Sequence, residues 1–267
     1  MRVRDALERY KTDHLDGLKN GRERYLQLAR CLRKYQSKQV SELSNADLTD
    51  SVKRWSGGTR NRYRAAITHF FTYCRSHDWT VLHPTILPGK EQPRDVVLSL
   101  DQLRALYNAA PYQGQEWSQF LQLLILTGQR PSDLMRFCPS RAQGMDMYLP
   151  TSKNGTSHIV PLADRAFVLG VMTPNRFAHF KTTAHVKKRW FQSAYVPTTQ
   201  FRIQDIRRSF ATHLAEDGQD ENDIDRILNH QAASTARGVQ RTYNRARRLT
   251  QRRAIMHRWE DLLFQDR

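Results

Sequence analysis

The sequence has little cysteine and no long apolar run. Its longest apolar stretch, FLQLLILTG, is far shorter than the roughly 20 residues of a membrane-spanning helix. The opening MRVRDALERYKTDHL contains acidic residues and lacks the apolar centre of a secretion signal. Cys31, Cys74 and Cys138 are widely spaced and odd in number, which predicts neither a disulfide framework nor a zinc site. We therefore expect a cytoplasmic protein with reduced thiols, no bound metal and no membrane association.

Acidic residues are also scarce. The chain has 26 Asp and Glu against 43 Lys and Arg, for a net charge of +17. Residues 1–84 hold 17 basic and 9 acidic residues, and the remainder holds 26 and 17. Basic surface on both parts of the chain favours a polyanionic partner, nucleic acid first. A basic but unspecialised protein, such as a ribosome-associated one, is the alternative.

One basic stretch lacks acidic residues altogether. No Asp or Glu occurs between Arg226 and Glu260, and the segment HQAASTARGVQRTYNRARR places Tyr243 among arginines. Like charges four residues apart on a helix repel, so a solvated helix face normally mixes both signs. The segment therefore indicates a negatively charged partner.

Apolar spacing predicts a mainly α fold with a small β-sheet (α+β), in two domains. Residues 1–84 are predicted to be wholly helical. The helix predicted in TRNRYRAAITHFFTYCRSHD has an apolar stripe flanked by arginines. The proline-rich stretch HPTILPGKEQPRD is typical of a linker, which we place at residues 85–98. We assign residues 99–267 to the second domain.

Within the second domain, local signals mark the element boundaries. Ser99, followed three residues later by Gln102, predicts a capping box at the start of a helix. The stretch MYLPTSKNGTSHIVPL reads as two short strands joined at Asn154-Gly155, a strong hairpin signal. Buried helices are predicted to end at Gly128 and Gly218.

TGQRPSDL contains a candidate anion site. Pro131 suits the first position of a helix, which places Arg130 at the N-cap, beside free backbone donors and the positive end of the helix dipole. Asp133 could hold the guanidinium group in place. Taken alone, Arg130 and Asp133 are more typical of a helix-end salt bridge.

The other candidate residues are unremarkable one by one. Lys153 lies beside the predicted hairpin turn, where a lysine is usually only solvated. Gln204 and Arg207 are three residues apart and share a helix face. His230 follows a short helix, where capping is the ordinary role.

Together and in this order, the candidates resemble the catalytic set of the tyrosine recombinases, specifically the phage and genomic-island integrases. The resemblance extends over nearly the whole chain. Residues 1–84 resemble the helical core-binding domain, VLSLDQLRALYNAA resembles the start of the catalytic domain, and the match continues through LLILTGQRPSDLMRF, TSKNGTSHIVPL and ILNHQAASTARGVQRTYNRA to the last helix. It implies a helical core-binding domain followed by a catalytic domain, forming a C-shaped clamp on double-stranded DNA. The residues that carry it are Arg130, Lys153, Gln204, Arg207, His230 and Tyr243.

The resemblance also implies a role for each residue. Tyr243 would attack the phosphate and form a 3′-phosphotyrosine, while Lys153 protonates the leaving 5′ oxygen. Arg130, supported by Asp133, would bind the non-bridging oxygens. Arg207 and His230 would donate to the same group, and no metal, ATP or other cofactor is required. Further arginines are expected to contact DNA: Arg60, Arg62, Arg64, Arg208, Arg237, Arg241 and Arg245.

The family resemblance implies partners as well. We expect a homotetramer on two paired DNA sites, with possible DNA-bending and directionality factors. The last helix either packs on its own subunit or docks on a neighbour. Many integrases carry an extra N-terminal arm-binding domain, and we expect none within these 267 residues.

One departure from the family pattern concerns Gln204, where the family usually has histidine. A glutamine can form hydrogen bonds but cannot accept the tyrosine proton as a base. Either the arginines around Tyr243 lower its pKa enough for a slower enzyme, or the protein binds DNA without cutting it. A type IB topoisomerase-like enzyme, which relaxes DNA without pairing two sites, is the third alternative.

Overall fold

The fold is described here from a computed structural model. It describes residues 1–92, 95–137, 142, 144–150, 157–171, 177, 201–230 and 248–265. The chain divides into two compact units, Met1–Arg94 and Asp95–Arg267, and each unit has its own hydrophobic core. Among the described helices, none combines the length and apolarity needed to cross a membrane.

The first unit is helical throughout its regular elements. Its third α-helix, α3 (Asn45–Val52), is capped by Ser44, whose side chain accepts a hydrogen bond from the backbone N–H of Asp47. The apolar stripe predicted for α4 is confirmed, because its residues from Tyr63 to Cys74 are buried. The bounds are α1 Val3–Tyr10 with a π-helical turn Lys11–Leu15, α2 Gly21–Cys31, 3-10 turns Arg33–Tyr35 and Val40–Glu42, α3 Asn45–Val52 and α4 Gly57–Ser76.

Part of the proline-rich stretch after α4 packs on the first unit. The backbone N–H of Thr85 donates to the Asn45 side chain over 2.8 Å, and Ile86 is buried in the first core. Gly89 exchanges two hydrogen bonds with the Asn61 amide. Leu98, three residues after this stretch, is buried in the second core.

The second unit combines helices with a two-stranded antiparallel sheet, which confirms the predicted α+β class. Helix α5 starts with the predicted capping box of Ser99 and Gln102. The two predicted strands pair with Met147 opposite Val160, while the turn between them lies outside the described residues. The bounds are α5 Leu100–Ala109, a 3-10 turn Ala110–Gln113, α6 Gln115–Thr127, α7 Pro131–Leu134, β1 Asp146–Leu149, β2 His158–Pro161, α8 Asp164–Val171, α9 Ile203–Glu216, α10 Glu221–Leu228 and α11 Leu249–Phe264.

The last helix, α11, packs on its own unit. Trp259 is fully buried, and its indole N–H donates to the backbone carbonyl of Ile125 in α6 over 3.0 Å. Glu260 accepts hydrogen bonds from the backbone N–H groups of Arg165 and Ala166, at 3.1 and 3.0 Å. These are free donors of the first turn of α8, so α11 also caps another helix of the core.

Gly128 ends α6 as predicted, and the backbone there takes the left-handed conformation, with φ of 60°. A Cβ atom added at this position would lie 2.7 Å from Cγ of Phe210 in α9. The site therefore requires glycine for two reasons, the positive φ and the close approach of α9. Gly128 also sets the direction of the chain into Gln129 and Arg130.

We predict that Gly128→Ala destabilises the second unit by about 2–4 kcal/mol, because left-handed strain adds to overpacking against Phe210. Gly144→Ala is the matched control, since Gly144 has φ of 59° and open space around its Cα. It should cost only about 1 kcal/mol. Urea unfolding of both variants measures the difference, and equal losses would contradict the proposed contact with Phe210.

Candidate active site

Among the predicted site arginines that the structure describes, Arg207 is the most deeply buried, with 9% of its surface exposed. It lies in α9, where Nη1 donates to the Gly128 carbonyl over 3.2 Å and Nη2 donates to the carbonyl of Leu228. Burial and, second to it, the positive charge of Arg130 lower the pKa of Arg207 to about 9. Two elements distant in sequence thus hold this guanidinium group through their backbone.

Arg130 occupies the N-cap of α7 with Pro131 at the first helical position, as predicted. Its Nη1 lies 3.7 Å from Oδ2 of Asp133, a carboxylate that is 2% exposed. That Nη1 is buried and has no hydrogen-bond partner among the described residues. A buried N–H group without a partner is costly, and this one lies next to a second guanidinium group, so the pair forms a site suited to an anion.

His230 follows the end of α10, where Asn229 takes the left-handed conformation with φ of 50°. The backbone N–H of His230 donates to the Asp225 carbonyl over 3.0 Å, and its Nδ1 donates to Oδ1 of Asp225 over 2.8 Å. The other ring nitrogen, Nε2, is the one left to meet a ligand. Because 40% of the side chain is exposed, a ligand can reach it.

The pKa of His230 is lowered from its ordinary value, first because the ring is partly desolvated. The Asp225 carboxylate opposes this shift, while the charges of Arg207 and Arg130 add to it. His230 therefore lies close enough to both arginines for their charges to act on it. In the free protein these charges favour the neutral imidazole.

His158, at the start of β2, is a residue of this cluster that the sequence analysis missed. It is 7% exposed, and its Nε2 donates to the carbonyl of Ile227 over 2.9 Å. Burial lowers its pKa to about 4, with further contributions from Arg252, Arg207 and Arg130. A single histidine in a short apolar strand gives no signal of this position.

Two other predicted residues lie on α9 close to Arg207. Gln204 is exposed, one helical turn before Arg207. Arg208, predicted to contact DNA, is half-buried, and its Nη1 donates to Oδ1 of Asp205 over 2.8 Å and to the carbonyl of Val96 over 3.4 Å. Within the structure, Arg208 thus supports the start of α9.

The remaining predictions fall on the first unit or outside the described residues. In α4, Arg62 and Arg64 are exposed, whereas Arg60 is half-buried. Within the described ranges, no three His, Cys, Asp or Glu side chains gather as a metal site would require. The predicted residues outside the described part of the chain are Lys153, Arg237, Arg241, Tyr243 and Arg245.

We predict that acid destabilises the protein through His158. Its folded pKa of about 4 lies below its unfolded value of about 6.5, so between these two pH values the unfolded state binds the proton and the folded state does not. Stability should fall by up to about 3 kcal/mol as the pH drops through this window. His158→Gln, which does not titrate, should flatten that part of the profile in denaturant unfolding. Parallel profiles for the two proteins would contradict the prediction.

A model of the phage integrase family matches residues 96–247 of the chain. Among solved structures, a lambda integrase dimer bound to a COC′ core site has a TM-score of 0.74 at 15% identity, covering 87% of this chain and 96% of that chain. A lambda integrase tetramer bound to a Holliday junction has a TM-score of 0.71 at 14% identity, covering 88% and 80%. The Tn1549 transposon integrase with circular intermediate DNA has a TM-score of 0.60 at 14% identity, covering 92% and 100%.

At these identities the structural likeness shows the fold alone. No relative was found among curated proteins. The family match extends over more than half of the sequence and includes every predicted site residue from Arg130 to Tyr243, which confirms the resemblance predicted from the sequence. The chain belongs to the phage integrase family of tyrosine recombinases.

Proposed function

We propose that the protein is a site-specific DNA recombinase that cuts and rejoins DNA through a 3′-phosphotyrosine, in the integration or excision of a mobile element. The observation that carries this proposal is the pairing of Arg130 and Arg207 in a partly desolvated site, with His230 beside them. Family membership supplies the reaction class. Double-stranded DNA is the proposed partner.

A phosphodiester in this site would meet donors already in place. The buried Nη1 of Arg130 has no hydrogen-bond partner among the described residues. Arg207 uses Nη1 and Nη2 for one carbonyl each, and a guanidinium group has five N–H donors. The remaining donors stabilise the charge that develops on the non-bridging oxygens, and the loss of one such donor typically costs about 10²–10³ in rate.

His230 adds a response to the bound phosphate. In the free protein, desolvation and two neighbouring cations hold its pKa down. A bound phosphate brings negative charge to the same place, which raises the pKa and favours the doubly protonated ring. Asp225 holds Nδ1, so the added proton resides on Nε2 and can be donated to a phosphate oxygen.

We assign the bond-breaking steps to Tyr243 and Lys153. Both residues lie outside the described part of the chain, so the assignment rests on the family pattern alone. The Tyr243 oxygen attacks phosphorus, the bond to the 5′ oxygen breaks, and Lys153 supplies the proton to that oxygen. The phosphotyrosine conserves the energy of the broken bond. The 5′ hydroxyl of a second strand then attacks it, so rejoining needs no nucleotide cofactor.

The second candidate function is binding to DNA without cutting it, and Gln204 favours it. Gln204 lies exposed one turn before Arg207, in the place where the family usually has histidine. At neutral pH only about one free tyrosine in a thousand is ionised, and a glutamine cannot act as the base. We favour cleavage, since every other residue of the family's catalytic set is present in the sequence.

We also propose that four copies pair two DNA sites, with accessory bending and directionality proteins where the element needs them. The structurally similar lambda integrase forms a tetramer on a Holliday junction. The apolar face of α11, through Ile255, Trp259 and Leu263, is already buried in its own unit. Contacts between subunits would therefore use other surfaces.

We predict that wild-type protein forms detergent-resistant adducts at a recurring site in DNA from the element and its host, and that Tyr243→Phe forms none. The substitution removes only the attacking hydroxyl, so DNA affinity should stay within about 2-fold of wild type. Adducts are trapped in strong detergent and the attached DNA is sequenced. Tight binding without adducts in either protein would favour the non-cutting function, and adducts in Tyr243→Phe would exclude Tyr243 as the nucleophile.

We predict that Gln204→His speeds adduct formation by about 10-fold or more, because an imidazole can take the phenol proton. The gain should disappear below about pH 6, where the added imidazole is protonated. Gln204→Asn is the matched control, since it is equally unable to act as a base. Single-turnover rates on a suicide DNA substrate provide the measurement. An unchanged or slower rate for Gln204→His would show that the missing base does not limit the enzyme.

A further inference from the structure

The backbone at the end of α10 receives side-chain donors from three different parts of the second unit. The carbonyl of Ile227 accepts from Nε2 of Gln129 and from Nε2 of His158, both at 2.9 Å. The next carbonyl, that of Leu228, accepts from Nη2 of Arg207. Carbonyls in the last turn of a helix lack partners within the helix, and their negative partial charge favours such donors.

The hydrogen bonds to the Ile227 and Leu228 carbonyls connect the chain segments that contain the site residues. Gln129 directly precedes Arg130 in the sequence. The carbonyls of Ile227 and Leu228 are followed at once by Asn229, which turns the chain, and then by His230. A shift of the α10 end would therefore move His230 relative to both arginines.

We propose that His158 is a positioning residue, which ties the end of α10 to β2 so that His230 and Arg207 reach the same phosphate. The proposal rests on the recombinase function proposed above. His158 itself acts through His230, since its Nε2 is already engaged with the Ile227 carbonyl. The Gln129 amide donates to the same carbonyl, so both lone pairs of the Ile227 oxygen accept a hydrogen bond.

The chemistry at position 158 is restrictive. Arg252 of α11, Arg207 of α9 and Arg130 beside α7 all act on the imidazole, and together with burial they keep it neutral at physiological pH. A lysine or arginine would add a further buried cation beside these three, which is costly. A leucine would keep the volume but leave the carbonyl with one donor fewer. An uncharged donor is what the position requires.

The first test compares single-turnover adduct formation in three variants. His158→Leu should slow it about 10- to 100-fold, because small misplacements of positioned groups have effects of this size. His158→Gln, whose amide can donate where Nε2 does, should restore the rate to within about 3-fold of wild type. His213→Leu is the matched control, since His213 also bonds a backbone carbonyl, that of Leu98, through Nε2 at 2.8 Å. It should leave the rate unchanged.

A wild-type rate in folded His158→Leu would overturn the proposal, as would an equal slowing in His213→Leu. Should His158→Leu not fold, His158→Asn replaces it, since the shorter amide cannot span the distance to Ile227. The same expectation applies to that variant. DNA affinity is measured in parallel, and the proposal predicts a loss in rate without a comparable loss in binding.

The second test asks whether His158 acts through His230. In a His230→Ala background, the further change His158→Leu should slow adduct formation by less than about 2-fold, because residues that act as one unit are not additive. Independent, multiplying effects would show that His158 acts by some other route. This outcome leaves the recombinase function itself intact.

The third test does not need activity. Nitrogen NMR of the His230 ring reports its protonation and its bond to Asp225, and we expect His158→Leu to move the His230 pKa toward the ordinary histidine value. We expect no such shift of the His230 pKa in His158→Gln or in His213→Leu. An unchanged His230 titration in His158→Leu would overturn the positioning role. If the wild type forms no adducts but the three variants show these His230 titrations, the proposed function is refuted and the positioning role of His158 is retained.

Discussion

The second unit depends on one constraint, which is that two guanidinium groups must be held together where water is largely excluded. Burying a charged group costs several kcal/mol unless hydrogen bonds and opposite charge offset it. Here the offset is incomplete. The backbone carbonyls of Gly128 and Leu228 accept hydrogen bonds from Arg207, and the negative charges of Asp133 and Asp225 favour its charged form. The like charge of Arg130 works in the opposite direction, and the anion proposed to bind here would offset it.

Several arginines near the end of the chain form ion pairs within the second unit. In and just before α11, Arg248 pairs with Asp223 at 2.9 Å and Arg253 pairs with Asp146 at 2.6 Å. Arg258 meets Asp217 in the same way. These three arginines of the run without acidic residues thus have their counter-charges on other elements. The acid-free run therefore has two parts with different roles. Arg248, Arg253 and Arg258 form ion pairs that stabilise the second unit, whereas the arginines around Tyr243 remain proposed DNA contacts.

The sequence predicted those features whose causes are local. Pro131 is enough to place Arg130 at a helix N-cap, and Ser99 with Gln102 is enough to start α5, because the interacting groups lie within four residues of each other. His158 could not be found in this way, since its partner Ile227 is 69 positions away and its neighbours in β2 are apolar. The proline-rich stretch after α4 shows the same limit. Its composition indicates a linker, yet Ile86 and Gly89 are fixed by contacts with distant side chains.

We propose opposite roles for the two histidines near the arginine pair, and their different surroundings are the reason. His158 is deeply buried, and its Nε2 donates to a carbonyl, so a further proton would add charge close to three arginines. His230 is partly exposed and has Asp225 on Nδ1. Negative charge arriving at the arginines lowers the cost of protonating His230 most, because its free nitrogen is open to the ligand. One imidazole therefore stays neutral and holds the backbone, while the other can change its charge when a phosphate binds.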